Sequence, residues 1–142
     1  MSELSEIDCQ KQLIVSGIDD FSPNAALPHV FGGQFGSSPE KWRAAVVEFL
    51  CINVRVGLLR CVNRKEISGE DGEVLLRGLL NFGDKEKRVD AEMVWSILYF
   101  SSTPKMDGIL QSLGLNSWDA LNQGVSQQFV EILRGLYSRF EW

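Results

Sequence analysis

The stretch Lys41–Val62, "KWRAAVVEFLCINVRVGLLRCV", decides how this chain folds. Trp42, Ala45, Val46, Phe49, Ile52 and Val56 recur at steps of three and four, the spacing of one buried helical face. Val47, Leu50, Cys51 and Val54 spread apolar surface to both flanks, leaving Lys41, Glu48 and Arg55 as the polar strip. A helix apolar around most of its circumference belongs at the centre of a domain. Just upstream, Ser38 suits an N-cap, Pro39 the first helical position and Glu40 the positive end of the helix dipole. Gly57 ends the helix, and "LLRCV" after it suits a short strand.

The stretch also holds two of the three cysteines, Cys51 and Cys61, with Cys9 remote. An odd count at irregular spacing makes no disulfide framework and suits a reducing compartment. Within an apolar helix a thiol is expected to be inert filling, because burial disfavours the thiolate. The spacing offers no paired zinc ligands, and His29 is the only histidine. That histidine lies in "LPHVFGG", with no serine elbow nearby, so a half-exposed loop histidine is expected rather than a catalytic base. "FGGQFG" lacks both the P-loop and the dinucleotide-binding spacing and is read as a turn. The expectation is a protein that is not an enzyme and uses no cofactor or metal.

Outward from the central helix, the 142 residues suit a single domain, 1–142. Residues 1–35 form an irregular N-terminal segment, packed on or wrapping a helical core at 38–142. In it "QLIVSGIDDF" is a short helix or strand closed by Gly17. Pro23, Pro28, Gly32, Gly33 and Gly36 oppose any long element after that.

Downstream, "NRKEISGEDGE" reads as a charged turn before the helix "EVLLRGLLNFG", in which Gly78 costs about 1 kcal/mol against alanine. A rival reading pairs "LLRCV" with "EVLLR" as a hairpin, so the sequence leaves 58–76 open between hairpin and loop–helix. "DKEKRVD" is a solvated loop, and Asp90 caps a helix over "AEMVWSILYF". Thr103 and Pro104 open another helix, closed by Gly114, and Ser117 caps a turn around Trp118. A last helix, about Ser126 to Phe140, carries Phe129, Ile132, Leu133, Leu136 and Phe140 on one stripe. The fold class expected is all-α or predominantly α, a compact multi-helix domain with at most a short hairpin.

The net charge of −5 is banded: residues 1–35 sum to −4, 36–65 to +4, and 66–92 to −4. A negative total disfavours direct nucleic-acid binding, and the bases Arg55, Arg60, Arg64 and Lys65 lack interleaved aromatics. No apolar run reaches the roughly 20 residues of a membrane span, and the acidic, polar stretch "MSELSEIDCQ", without a basic or apolar region, is not expected to act as a secretion signal. Cytoplasm is the expected compartment. Glu66, Glu70, Asp71 and Glu73 place four acids in eight positions, with Asp84 and Glu86 one helix later. These six are the candidate partner-binding residues, a docking patch for a basic macromolecule.

The order of features adds a family resemblance. "SPEKWRAAVVEFLCINVRVGLLRC" sets a tryptophan near a helix start, then a "VEFL" core and a "GLLR" exit. A second tryptophan helix, "AEMVWSILYF", and a terminal aromatic helix follow. This resembles the small cytosolic immunity proteins of bacterial contact-dependent growth inhibition and related polymorphic toxin systems, most strongly over Ser37–Cys61. The resemblance implies a bacterial protein that neutralises a cognate toxin, typically a basic nuclease domain, by occluding it. It carries over no particular contact residue. The competing readings are a non-catalytic adaptor or assembly module, and a small winged-helix-like regulator whose 58–76 hairpin and 41–65 bases meet DNA. The apolar helix surface leaves room for a homodimer.

Overall fold

The computed structural model describes residues 5–138, and its order of elements follows from a few strong local signals. The helices are α1 (Glu6–Ser16), α2 (Pro39–Arg55), α3 (Gly69–Phe82), α4 (Ala91–Ile97), α5 (Pro104–Ser112) and α6 (Gln127–Tyr137). Two three-residue strands, β1 (Leu59–Cys61) and β2 (Phe100–Ser102), and three 3-10 turns complete the described chain. The domain is predominantly α, as the helical periodicities require.

α2 is the central element. Ten of its 17 residues are buried, and Lys41 and Glu48 face solvent as the polar strip predicted. Pro39 stands in the first turn, but the Ser38 side chain makes no capping hydrogen bond; Trp42 N–H instead meets the Ser38 carbonyl at 3.1 Å. The exit is made by Gly57 at φ +80°, a left-handed conformation that lets Leu58 N–H close on Asn53 O at 2.8 Å. α3 packs along α2, and Trp42 of α2 meets Trp95 of α4 with ring centroids 5.5 Å apart. Both indoles are fixed: Trp42 donates to the carbonyls of Ala26 and Leu27, and Trp95 to Leu80 O.

Four departures from the sequence reading have physical causes. "EVLLR" is helical, so the hairpin reading of 58–76 fails, and with it the wing of a winged helix. β1 pairs instead with β2, antiparallel, Leu59 opposite Ser102 and Cys61 opposite Phe100. Phe100 also bridges to Phe21, exchanging both backbone hydrogen bonds. Backbone groups in the middle of the core must be paired, and the two strands with the Phe21 bridge pair them.

Second, "AEMVWSILYF" is not one helix. It stops at Ile97, and Phe100 enters β2. Third, α3 starts inside the segment read as a charged turn, so Glu70 and Asp71 occupy its first turn, where the helix dipole favours carboxylates. Fourth, the helix reading of "QLIVS" holds, with Gly17 as its C-cap, but α1 begins six residues earlier than that stretch, at Glu6, so the N-terminal segment is less irregular than expected. Leu13 and Ile14 of that helix are fully buried in the same core as α2.

Asp90 caps α4 through its side chain as predicted, and Thr103 caps the helix it was expected to open; Ser126, read as the start of the last helix, is its side-chain cap, whereas Ser117 makes no capping hydrogen bond to the turn around Trp118. In α6, Phe129 and Leu133 are buried and Ile132 and Leu136 partly so; Phe140 lies outside the described residues. Buried glutamines do the remaining stitching. Gln12 accepts from Leu27 N–H at 2.8 Å, and Gln10 donates to Gly124 O and accepts from Ser126 N–H.

Candidate docking surface

The six candidate carboxylates belong to one flank of the molecule, built by α3, the segment before it and the turn after it, and they divide into two groups. Glu73 is turned inward, its side chain 14% exposed. It pairs with Arg55 of α2 at 3.3 Å and with Arg77, one helical turn on, at 3.1 Å. Asp84 is buried and takes Arg64 Nη1 at 2.9 Å on one oxygen and Lys87 N–H at 3.2 Å on the other. The Arg64 hydrogen bond, with help from that backbone donor, holds the Asp84 carboxyl below the usual carboxylate range. Asp84 also closes the following turn, exchanging backbone bonds with Val89. These two acids position α3 on its neighbours.

Glu66, Glu70, Asp71 and Glu86 face solvent. Glu70 is 68% exposed and lies 3.8 Å from Arg55, while Glu66 lies 3.7 Å from Arg64. At such exposure an ion pair contributes little to stability and is readily exchanged for another partner. The candidate bases are drawn into the same network: Arg55 and Arg64 serve the carboxylates, and Arg60 donates to Ser102 O in the β1–β2 ladder. Lys65 is exposed.

Sequence reasoning missed the apolar half of this flank. On the outer face of α3, Val74 is 71% and Phe82 is 75% exposed, with Gly78 between them. A shallow groove of about 520 Å³ runs past them, bordered by Arg64, Asp84, Lys85 and Glu86. Every other turn of "EVLLRGLLNF" is also apolar, so the sequence does not mark which turns stay outside.

The thiols and the histidine sit elsewhere. Cys9, Cys51 and Cys61 are all free and buried. Burial pushes the Cys9 and Cys51 thiols up to about 12 and raises that of Cys61 as well. His29 is exposed, at the head of a 3-10 turn. It lines a separate cleft of about 520 Å³ with Lys11, Asp20, Phe21 and Tyr99, and no cysteine lines that cleft. Among the described residues no group of three or more His, Cys, Asp or Glu is placed to hold a metal ion. Nor, among them, is any helix long and apolar enough to cross a membrane. No family model, curated protein or solved structure matches this chain.

Proposed function

We propose that this chain is a cytoplasmic immunity protein that binds a cognate toxin domain, a basic nuclease by preference, and blocks it by occlusion. The observation that carries the reading is the division of the carboxylates. Glu73 and Asp84 are bound to arginines of the scaffold, which leaves Glu66, Glu70, Asp71 and Glu86 turned to solvent on a rigid frame. Carboxylates held in fixed positions meet a cationic surface without losing side-chain and loop entropy on a mobile support. A basic nuclease surface is shaped for phosphates, and these four acids stand where the phosphates would otherwise lie. Complementary charge of this kind chiefly speeds encounter and rejects wrong partners. The resemblance over Ser37–Cys61 supports the same conclusion independently.

The test is protection in cells. A toxin domain encoded in the adjoining reading frame is expressed with and without this chain, and survival is counted. The wild-type chain restores growth, and the Glu70→Lys/Asp71→Lys double variant, equally well folded, loses most of that protection. Growth arrest that the wild-type chain does not relieve would refute the proposal.

A further inference from the structure

The outer face of α3 has a symmetry that the acidic patch does not explain. Gly78 sits at its middle, Val74 four residues before and Phe82 four residues after. Asp71, in the first turn of α3, and Lys85, in the turn after Gly83 ends the helix, stand seven residues to either side, one acidic and one basic; both are exposed, and Lys85 borders the groove beside Val74 and Phe82. Glycine in the interior of a helix lowers its stability. Nothing within the molecule requires it here, because a Cβ on Gly78 would meet nothing within 4 Å. At Gly78, between Val74 and Phe82, the missing side chain leaves the helix backbone open to approach from outside.

We infer that this face is a self-docking surface, on which a second copy of the chain lays its own α3 antiparallel across a two-fold axis at Gly78. A two-fold contact brings residue i against residue j and j against i. About an axis at Gly78, Val74 of each copy covers Phe82 of the other, burying the two most exposed apolar side chains of the helix. The same operation sets Asp71 of each copy toward Lys85 of the other. It also opposes the negative start of α3, with Glu70 and Asp71, to the turn 84–88, where Lys85, Lys87 and Arg88 outnumber Asp84 and Glu86. The missing Cβ at Gly78 lets the two backbones approach at the crossing. Antiparallel helices add favourable alignment of their dipoles.

The face carries Val74 and Phe82 between charges of both signs, Asp71 and Lys85, a pattern that complements its own copy. One 14-residue helix face offers less than the roughly 800 Å² per partner of a standard interface, so dissociation falls in the micromolar range or weaker. A copy seated here covers Glu70 and Asp71, so self-association and toxin docking exclude each other at this face, and sedimentation of the chain alone tests the first without a toxin.

The experiment is sedimentation equilibrium of the whole chain from about 10 μM to about 1 mM, a range that brackets such affinities. The mass of the wild type rises with concentration from the monomer value of 15.9 kDa toward twice that value. Phe82→Glu lowers the association constant by at least about tenfold, as removal of a central anchor does. Gly78→Leu, which fills the crossing point, gives the same loss, and circular dichroism verifies that both variants are folded. Asp71→Lys and Lys85→Asp each weaken association, and their combination restores it. A wild type that stays at the monomer mass throughout would mean that a different partner covers this face, and would overturn the inference. So would association that survives Phe82→Glu and Gly78→Leu, or a combined charge swap that fails to restore it.

Discussion

Tyr137 in α6 donates its hydroxyl proton to Oδ1 of Asn53 in the middle of α2, 2.7 Å away, and both side chains are buried. Asn53 in turn donates to Phe49 O at 2.8 Å, so a polar chain crosses the otherwise apolar core and ties the last described helix to the central one. Burial raises the Tyr137 phenol far above its usual pKa, so it remains a donor throughout the accessible pH range. Tyr137→Phe leaves Asn53 Oδ1 buried without its donor and is expected to cost about 1–3 kcal/mol. Urea unfolding measures this. Pairing it with Asn53→Leu should return part of the loss, since the stranded polar group is then gone.

Glu73 and Asp71 are expected to separate stability from docking. Glu73→Lys breaks two ion pairs on a mostly buried carboxylate and sets a third cation beside Arg55 and Arg77. It should destabilise the fold by about 2 kcal/mol or more. Asp71→Lys loses only the favourable placement at the start of α3, worth about 0.3–1 kcal/mol. Thermal melts of the two variants side by side measure the contrast. Equal melting temperatures would show that the Arg55–Glu73–Arg77 network does not anchor α3.

Asp84 predicts how stability changes in acid. Its carboxyl is held below the ordinary value of about 3.9 by Arg64 and the Lys87 N–H, so the folded state holds this proton less tightly than the unfolded state. The resulting stabilisation is fully present above that ordinary value and disappears as pH falls through the lowered one. Wild type and Asp84→Asn should therefore differ in urea midpoint at neutral pH and converge once the pH has fallen below the lowered value. A gap that persists unchanged at that pH would contradict the assignment of Arg64 as the partner.

How far the sequence foretold all this depends on range. α2 was legible because Trp42, Ala45, Val46, Phe49 and Ile52 mark one face over about three turns, and all five are buried. β1 was legible only as an isolated strand: three residues carry no periodicity, and its partner Phe100 lies 39 positions beyond Cys61. The start of α3 was hidden by Gly69 and Gly72, which read as turn residues in a charged segment. At Gly72 the reason is spatial, since a Cβ there would stand 2.7 Å from the backbone of Ile67. For the carboxylates, composition located the patch but not its division. Glu73 and Asp84 turn inward because Arg55 and Arg64, 18 and 20 residues earlier, are brought over them by the packing of α3.

The thiols are predicted to be silent while the chain is folded. With Cys9 and Cys51 pushed up to about 12 and Cys61 also raised, almost no thiolate exists at pH 8. An aromatic disulfide reagent should titrate no thiol in the native protein and all three in guanidinium, the full complement of the sequence. Rapid native labelling of any one of them would reopen the question of chemistry at sulfur.

The proposal that this chain acts by holding another protein is checked by calorimetric titration with a toxin domain encoded in an adjoining reading frame. One-site saturation is expected, with an affinity that falls as salt is raised and falls again with Glu70→Lys/Asp71→Lys. A titration in which no heat of binding is seen at any ionic strength, by a chain verified as folded, would contradict it.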